Sequence, residues 1–184
     1  MSKKTIKKIP IPELLSKDEY KNKYNKAYTT LTEMMDARNV EFKSLDDEKI
    51  VFENIFVFFC SDGLSKGTLK EYLDTAQEHD IQHILIVYDK SITSNANAML
   101  AHILNIYIET FSLIELQINI TKHRLVPKHS KISDETKSEL SSFDVFKFPK
   151  LLRKDPISRF YNFKPGNVIK IERANGIVCY RVVV

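Results

Sequence analysis

Two histidines, His79 and His83, stand at the i, i+4 spacing that on one helix could place two ring nitrogens on a single metal ion. The residues between them lead directly into the apolar run HILIVY (83–88), which is typical of a strand. The pair is therefore expected on two different elements. His123 and His129 flank Pro127 with no third ligand nearby, so we interpret them as packing or interface residues. The sequence predicts no metal site.

Asp46, Asp47 and Glu48 precede Lys49, an order similar to the acid-and-lysine arrangement of restriction-type nucleases. Metal-dependent phosphodiester cleavage needs carboxylates that converge on Mg²⁺ from positions held by a sheet, with a lysine to position the water. Consecutive carboxylates in a polar turn point in different directions. The sequence therefore predicts a solvated acidic loop, no catalytic residue and no cofactor.

The segment Ser91-Ile92-Thr93-Ser94-Asn95 connects the HILIVY strand to the start of a helix. It places hydroxyl and amide donors beside free backbone N–H groups, a geometry that can hold a phosphate oxygen. Many such segments only begin a helix, so both interpretations stay open at this point. Gly63 and Gly67 do not form a glycine-rich phosphate loop, and no Gly-x-Ser-x-Gly elbow is present.

Composition describes a globular chain of 184 residues that is 43% hydrophobic, long enough for one large or two small domains. No apolar run approaches the roughly 20 residues of a membrane span, and the N-terminus lacks the apolar core of a secretory signal. Cys60 and Cys179 lie far apart in apolar strands, which predicts reduced core thiols in an intracellular compartment. We expect no membrane partner.

Charge is unevenly distributed along the chain. Residues 1–26 carry a balance of +5, residues 27–122 of −8 and residues 123–184 of +7, within a net charge of +4. An acidic middle segment is poorly suited to gripping nucleic acid alone, because neutralising phosphates needs Lys and Arg. The basic C-terminal part could face nucleic acid or an acidic protein partner.

Periodicity before residue 122 predicts alternating helices and strands, and therefore an α/β domain with a largely parallel sheet. The elements are a helix opened by a Ser16/Glu19 capping box, a strand over 50–60, a helix opened by a Thr68/Glu71 capping box, a strand over 83–88, a helix capped by Ser94, and two strands at IETF and QINIT. Residues 1–15 hold a lysine-rich run and two prolines, which predicts a basic flexible arm.

The pattern is interrupted by the polar stretch KHRLVPKHSK, so a domain boundary is expected between residues 122 and 123. Beyond it the sequence predicts a helix capped by Ser133, a short helix with Asp155 as N-cap and Pro156 as its first residue, a turn at Pro165-Gly166, and strands over 168–173 and 177–184. An Asn175-Gly176 step favours a hairpin between those strands. The second domain, 123–184, is expected to be α+β.

Three C-terminal phrases, LVPKH, DPISRFYNFKPG and NVIKIERANGIVCYRVVV, resemble the successive signatures of the subunit shared by eukaryotic RNA polymerases I, II and III, whose C-terminal domain is similar to a small subunit of the archaeal RNA polymerase. Upstream, IFVFFC, the Thr68 helix, HILIVY and QINIT are similar to that family's N-terminal jaw domain, in the same order. The resemblance implies a jaw domain with a nuclease-like fold but no active site over 16–122, and a polymerase-assembly domain over 123–184.

Site residues also follow from the resemblance. It implies that Thr93, Ser94 and Asn95 lie beside downstream DNA, although the usual Thr-Pro of that loop is Thr93-Ser94 here. It implies contact with the largest polymerase subunit and the small shared clamp subunit through residues spread over the C-terminal domain. These are Pro127, His129, Asp155, Pro156, Arg159, Tyr161, Gly166, Arg173, Tyr180 and Arg181.

The resulting hypothesis is a non-catalytic subunit of a DNA-dependent RNA polymerase that meets downstream duplex DNA weakly and without sequence preference, inside the complex only. Its site of action would be the nucleus for a cellular protein, and the virus factory or virion for a viral one. The alternative is a free-standing nucleic-acid-binding transcription regulator, and a nuclease is the third possibility. Affinity for DNA by the isolated chain would favour the regulator.

Overall fold

The computed structural model describes residues 18–45, 49–133, 136 and 147–184. The basic arm 1–15, Ser16 of the predicted capping box and the acidic run 46–48 lie outside the described residues. Contacts divide the chain between Ile118 and Asn119, a few residues before the boundary expected from the sequence. No described helix is both long and apolar enough to cross a membrane.

The N-terminal unit is built around a five-stranded sheet in the order β1-β2-β3-β4-β5. Its elements are α1 (Asp18–Ala37), β1 (Phe42–Leu45), β2 (Lys49–Phe52), β3 (Ile55–Cys60), α2 (Lys66–Glu78), β4 (His83–Tyr88), α3 (Ser94–His102) and β5 (Tyr107–Ser112). The strands β3, β4 and β5 are parallel, whereas β1 and β2 run antiparallel to their neighbours. The expectation of a largely parallel sheet therefore holds for the last three strands.

Both faces of the parallel strands are covered. On one face, the side chains of Phe56, Phe58, Ile84 and Ile86 pack against the apolar stripes of α2 and α3. Because side chains alternate along a strand, Val57, Leu85 and Val87 point to the other face, where they are fully buried. Helix α1 lies on that second face, with the ring centroids of Tyr24 and Phe59 5.8 Å apart.

Four sequence-based expectations for this unit were wrong in detail. The run 50–60 is a hairpin, because the polar Glu53-Asn54 pair turns the chain and Glu53 takes a φ of +35°. QINIT forms no strand but two short 3-10 turns, Glu115–Gln117 and Ile120–Lys122. Helix α2 is capped by Ser65, whose hydroxyl accepts from the Thr68 N–H, so the Thr68/Glu71 capping box is absent. The cap of α3 is Thr93 and not Ser94.

The C-terminal unit contains a four-stranded sheet in the order β6-β8-β9-β7. Its elements are β6 (Lys128–Lys131), β7 (Lys150–Leu151), α4 (Pro156–Phe160), β8 (Val168–Glu172) and β9 (Val178–Val183). The order of an α/β unit followed by an α+β unit is the one that the sequence predicts. The sequence missed β6, because an exposed edge strand shows no apolar alternation.

Caps predicted in this unit are present. The Asp155 carboxylate accepts from the Ile157 N–H at 2.8 Å, and Pro156 opens α4. Ser133 Oγ accepts from the Thr136 N–H at 3.2 Å, as an N-cap does, although the body of that predicted helix lies outside the described residues. The core beneath α4 is formed by Leu151, Ile157, Phe163, Ile169, Ile171 and Val183.

The hairpin between β8 and β9 turns through Ala174-Asn175-Gly176. The Gly176 N–H donates to Arg173 O, the Arg173 N–H donates to Ile177 O, and Gly176 has a φ of +81°. Only Gly176 lies in the left-handed region, so this is a three-residue loop in which glycine, and not the Asn-Gly pair, supplies the positive φ.

Replacing Gly176 by Val should destabilise the C-terminal unit by about 1–3 kcal/mol, because a β-branched residue is strained at that φ. Thermal unfolding measures the loss, and Gly176→Asn is the matched control, since Asn tolerates the left-handed region and should lose less. No Cβ clash contributes, as nothing lies within 4 Å of an added Cβ. Equal melting temperatures for wild type and the Val variant would contradict the prediction.

Candidate functional site

Two loops at the carboxyl ends of β3 and β4 are bound to each other. The Leu64 N–H donates to Ser91 O at 2.8 Å and the Thr93 N–H donates to Leu64 O at 3.0 Å, which makes a parallel bridge between Leu64 and Ile92. Gly63 permits this approach, because a Cβ there would lie 2.8 Å from Ser91 O. The bridge fixes the position of the segment that begins α3.

The cap of α3 is Thr93, one residue before the predicted Ser94. Its hydroxyl accepts from the Ala96 N–H at 3.3 Å and donates to Leu64 O at 3.3 Å, so both of its roles are occupied within the protein. A backbone already held extended by the Leu64 bridge favours Thr93 at the cap. Ser94 and Asn95 are exposed, and their side chains and backbone N–H groups remain available as donors.

Charge near this segment is modest. Lys90 and Asp62, on the same two loops, form an exposed ion pair at 2.8 Å. An exposed pair of this kind contributes little to stability and leaves little net charge. The segment can therefore donate hydrogen bonds to one phosphate group, but it does not form a strongly cationic surface.

The C-terminal unit contains a groove of about 700 Å³. It is lined by Arg124, Leu125, Val126, Pro127, Lys128, His129, Leu151, Asp155, Ile157, Ile171, Glu172, Arg173, Ala174 and Arg181. The sequence-predicted assembly residues Pro127, His129, Asp155, Arg173 and Arg181 meet here, although they are up to 54 positions apart in the chain.

The floor of the groove is apolar and rigid. Leu151, Ile157 and Ile171 belong to the buried core, so they are fixed by packing. Leu125 stands at the rim with 71% of its surface exposed. His129, one of the lining residues, is held in place because its Nδ1 donates to Pro127 O at 2.8 Å. The groove therefore combines an apolar floor with one exposed apolar side chain at its edge.

The charged groups of the groove are unequally paired. Glu172 is held by Lys170 at 2.7 Å, and this hydrogen bond and charge lower the pKa of Glu172, with a weaker contribution from Lys128 at 3.6 Å. Arg181 donates to Lys150 O. Arg124 and Arg173 form no ion pair with any residue in the described part of the chain. The groove therefore presents uncompensated guanidinium groups above an apolar floor.

The other predicted assembly residues are not in this groove. Pro156 and Arg159 lie on α4, and Gly166 has a φ of +83° in the turn before β8. The Tyr161 ring stacks on Phe163 at 5.2 Å beside the core, and burial raises the pKa of Tyr161. Tyr180 lies 6.2 Å from the ring of Phe148. These five residues therefore lie outside the groove lining, and their assignment to assembly stays a prediction.

A buried charge cluster in the N-terminal unit was missed from the sequence. The guanidinium of Arg38 donates to both carboxylate oxygens of Glu109, at 2.8 and 2.9 Å, and His83 Nε2 lies 2.8 Å from Glu109 Oε1. Burial alone would raise the pKa of Glu109, but the His83 hydrogen bond and the Arg38 charge outweigh it and lower the pKa to about 2. The only sequence signal was one acidic residue within the half-apolar strand β5.

This cluster joins the end of α1 to two parallel strands and has a structural role. His79, which shares the i, i+4 spacing with His83, lies at the end of α2. The centroid of its ring is 5.4 Å from that of Phe56. The two histidines are on different elements, as expected. Among the residues that the structure describes, no three His, Cys, Asp or Glu side chains gather closely enough to hold a metal ion.

Comparison with known proteins gives a consistent result. Residues 118–183, which include the whole groove, match the family model described as RNA polymerase Rpb5, C-terminal domain. The chain is 34% identical over 143 residues to subunit rpabc1 of DNA-directed RNA polymerases I, II and III of Dictyostelium discoideum, covering 72% of this chain and 73% of that protein. It is 33% identical over 141 residues to RPABC1 of Caenorhabditis elegans and of Caenorhabditis briggsae, covering 72% of this chain and 67% of each.

Proposed function

The chain belongs to the family of the subunit shared by DNA-directed RNA polymerases I, II and III, and on that premise we propose that it is a non-catalytic subunit of such a polymerase. Phosphodiester chemistry would belong to other subunits. One observation carries the proposal: the part of the chain that matches the family model contains the groove, whose Arg124 and Arg173 form no ion pair with the residues described in the structure. The protein would act in the nucleus if it is cellular, and in a virus factory or virion if it is viral.

The proposal assigns assembly to the C-terminal unit. Its groove would dock on the largest polymerase subunit, beside the small shared clamp subunit, since it combines an apolar floor with uncompensated positive charge. The N-terminal unit would then be a jaw, with a nuclease-like fold that lacks an active site, on the downstream side of the DNA cleft. In support of this proposal, each unit has its own sheet and its own core, so each could carry a separate role.

The test is co-purification from the native host. Tagged wild-type protein should co-purify with the largest subunit. The double variant Arg124→Glu, Arg173→Glu should recover at least tenfold less of that subunit, because a loss of about 1.4 kcal/mol in binding free energy lowers affinity tenfold. Lys150→Glu with Lys154→Glu makes the same charge change outside the groove lining and should keep the partner. A double groove variant that folds and still binds fully would refute the assigned surface.

A second prediction concerns DNA. Ser94 and Asn95 should approach the backbone of downstream duplex DNA only in the assembled polymerase, because one capped helix start supplies few donors and little charge. A photo-crosslinking residue at position 94 should label downstream DNA in the elongating enzyme. The same residue at position 41, before the edge strand β1, is the control. No label from position 94 in an active complex would contradict the prediction.

The alternative function, a free-standing nucleic-acid-binding regulator, makes the opposite prediction for the isolated chain. The exposed arginines of the groove are the observation in its favour, because they could also neutralise phosphates. Tight, sequence-specific binding of duplex DNA by the isolated protein would support the regulator. Weak binding that falls steeply with salt, together with co-purification of the polymerase, supports the subunit.

A further inference from the structure

The strand β6 forms one edge of the C-terminal sheet, and its pairing shows which backbone groups are free. The Ile132 N–H donates to Val168 O at 3.1 Å, and Lys128 and Ser130 are in register with Glu172 and Lys170. In an antiparallel ladder the hydrogen-bonded pairs alternate, so Lys128, Ser130 and Ile132 direct their N–H and C=O groups toward β8.

The N–H and C=O groups of His129 and Lys131 consequently point away from the sheet. No backbone hydrogen bond to the outer side of β6 is formed within the described part of the chain. Two outward-facing residues separated by one residue present donors and acceptors at the repeat of a β-strand, which is a template for another extended chain.

This edge is continuous with the groove. Lys128 and His129 belong to β6 and also line the groove, together with Leu125, Arg124 and Arg173. A chain paired with His129 would therefore run past an apolar floor and past two guanidinium groups that have no carboxylate partner among the residues that the structure describes. Backbone pairing would supply affinity, and alternate side chains could enter the groove.

We propose that the β6 edge and the adjoining groove bind an extended, acidic segment of the partner polymerase subunit, which adds to the sheet as a fifth strand. The inference rests on the proposed function of the C-terminal unit and specifies the chemistry of its partner. Carboxylates match Arg124 and Arg173, whose fork of donors pairs with two oxygens at once.

Other occupants fit less well. Nucleic acid also carries negative charge, but it offers no alternating N–H and C=O groups at strand spacing to satisfy His129 and Lys131. A second copy of this chain would bring its own basic C-terminal part, residues 123–184 with a balance of +7, against the same arginines, and like charges repel. An acidic extended segment satisfies both the backbone and the charge.

Amide hydrogen exchange of the full chain tests the proposal, alone and in the purified polymerase. In the free protein the N–H groups of His129 and Lys131 should exchange rapidly, whereas those of Lys128 and Ser130 are protected by β8. In the polymerase the two outward amides should slow by at least about tenfold. Unchanged exchange of these amides in a complex that contains the subunit would overturn the inference and leave the proposed function intact.

Further outcomes distinguish the occupants. Protection lost on nuclease treatment would assign the edge to nucleic acid, and protection that rises with concentration of the free chain would assign it to a second copy, and either would overturn the inference. A chain that never co-purifies with the polymerase would overturn the proposed function and this inference with it.

A backbone variant provides an independent test. Lys131→Pro removes an outward N–H without breaking a bond to β8, and proline is tolerated at such edge positions. It should reduce co-purification of the largest subunit at least about tenfold. Lys131→Ala, the matched control, removes the charge but keeps the N–H and should retain most binding. A Pro variant that melts like the Ala variant and co-purifies equally well would refute strand addition.

Discussion

Glu109→Ala should destabilise the N-terminal unit by about 3–5 kcal/mol, because it leaves the charge of Arg38 buried without a counter-charge. The side chains of Arg38 and Glu109 are only 5% and 8% exposed, so water cannot replace the lost carboxylate. His83 would lose its hydrogen-bond partner in the same change. The expected loss is a large fraction of the stability of a small domain.

The cost arises from removing one partner, not from the net value of the pair. Replacing both groups, as in Arg38→Met with Glu109→Leu, should therefore lie closer to wild type than the single change does. Glu71→Ala on the exposed side of α2 controls for the loss of a surface carboxylate and should stay within about 0.5 kcal/mol. Hydrogen exchange of the backbone amides in β3, β4 and β5 measures the stability of the N-terminal unit directly. A single variant as stable as Glu71→Ala would contradict the prediction.

Local signals in the sequence predicted most helices and the buried strands. The stripe of Tyr24, Ala27, Leu31 and Met35 on α1 is buried, and HILIVY forms β4 with both faces covered. Such elements follow from side-chain periodicity, which a single sequence displays. Asp155 and Pro156 likewise mark the start of α4 through local hydrogen bonding and a fixed φ.

Elements whose pairing depends on distant residues were missed. The polar stretch Lys128–Lys131 forms a strand because it pairs with the edge of β8. Its own sequence shows no apolar alternation that would predict a strand. The same is true of the Arg38, His83 and Glu109 cluster, whose members come from α1, β4 and β5. QINIT was also assigned to a strand, but its residues belong to two 3-10 turns on either side of the division between Ile118 and Asn119.

The candidate site was predicted in part. The C-terminal motifs indicated the family, and five of the ten residues assigned to assembly line the groove. The groove itself could not be predicted, because its floor is created by the packing of Leu151, Ile157 and Ile171 from three separate elements. Arg124 and Leu125 were overlooked, since a lone basic and a lone apolar residue in a polar stretch carry no periodic signal.

Acid should selectively weaken the N-terminal unit through Glu109. Its pKa in the folded protein, about 2, lies below its ordinary value of 4.5, so the folded state holds the ionised form more strongly than the unfolded state does. The resulting stabilisation is fully present above pH 4.5 and is lost as the pH falls toward about 2. Its size is about 3 kcal/mol.

A comparison of variants isolates this contribution from the other carboxylates. The difference in stability between wild type and Glu109→Gln should shrink by about 3 kcal/mol between pH 6 and pH 2, since protonated Glu109 and Gln are both neutral. The difference between wild type and Glu71→Gln, a surface control, should change far less over the same interval. Hydrogen exchange of the amides in β3 to β5 across this pH range measures the stability of the unit that contains Arg38, His83 and Glu109. A Glu109→Gln difference that stays constant with pH would show that the carboxylate is not held ionised by Arg38 and His83.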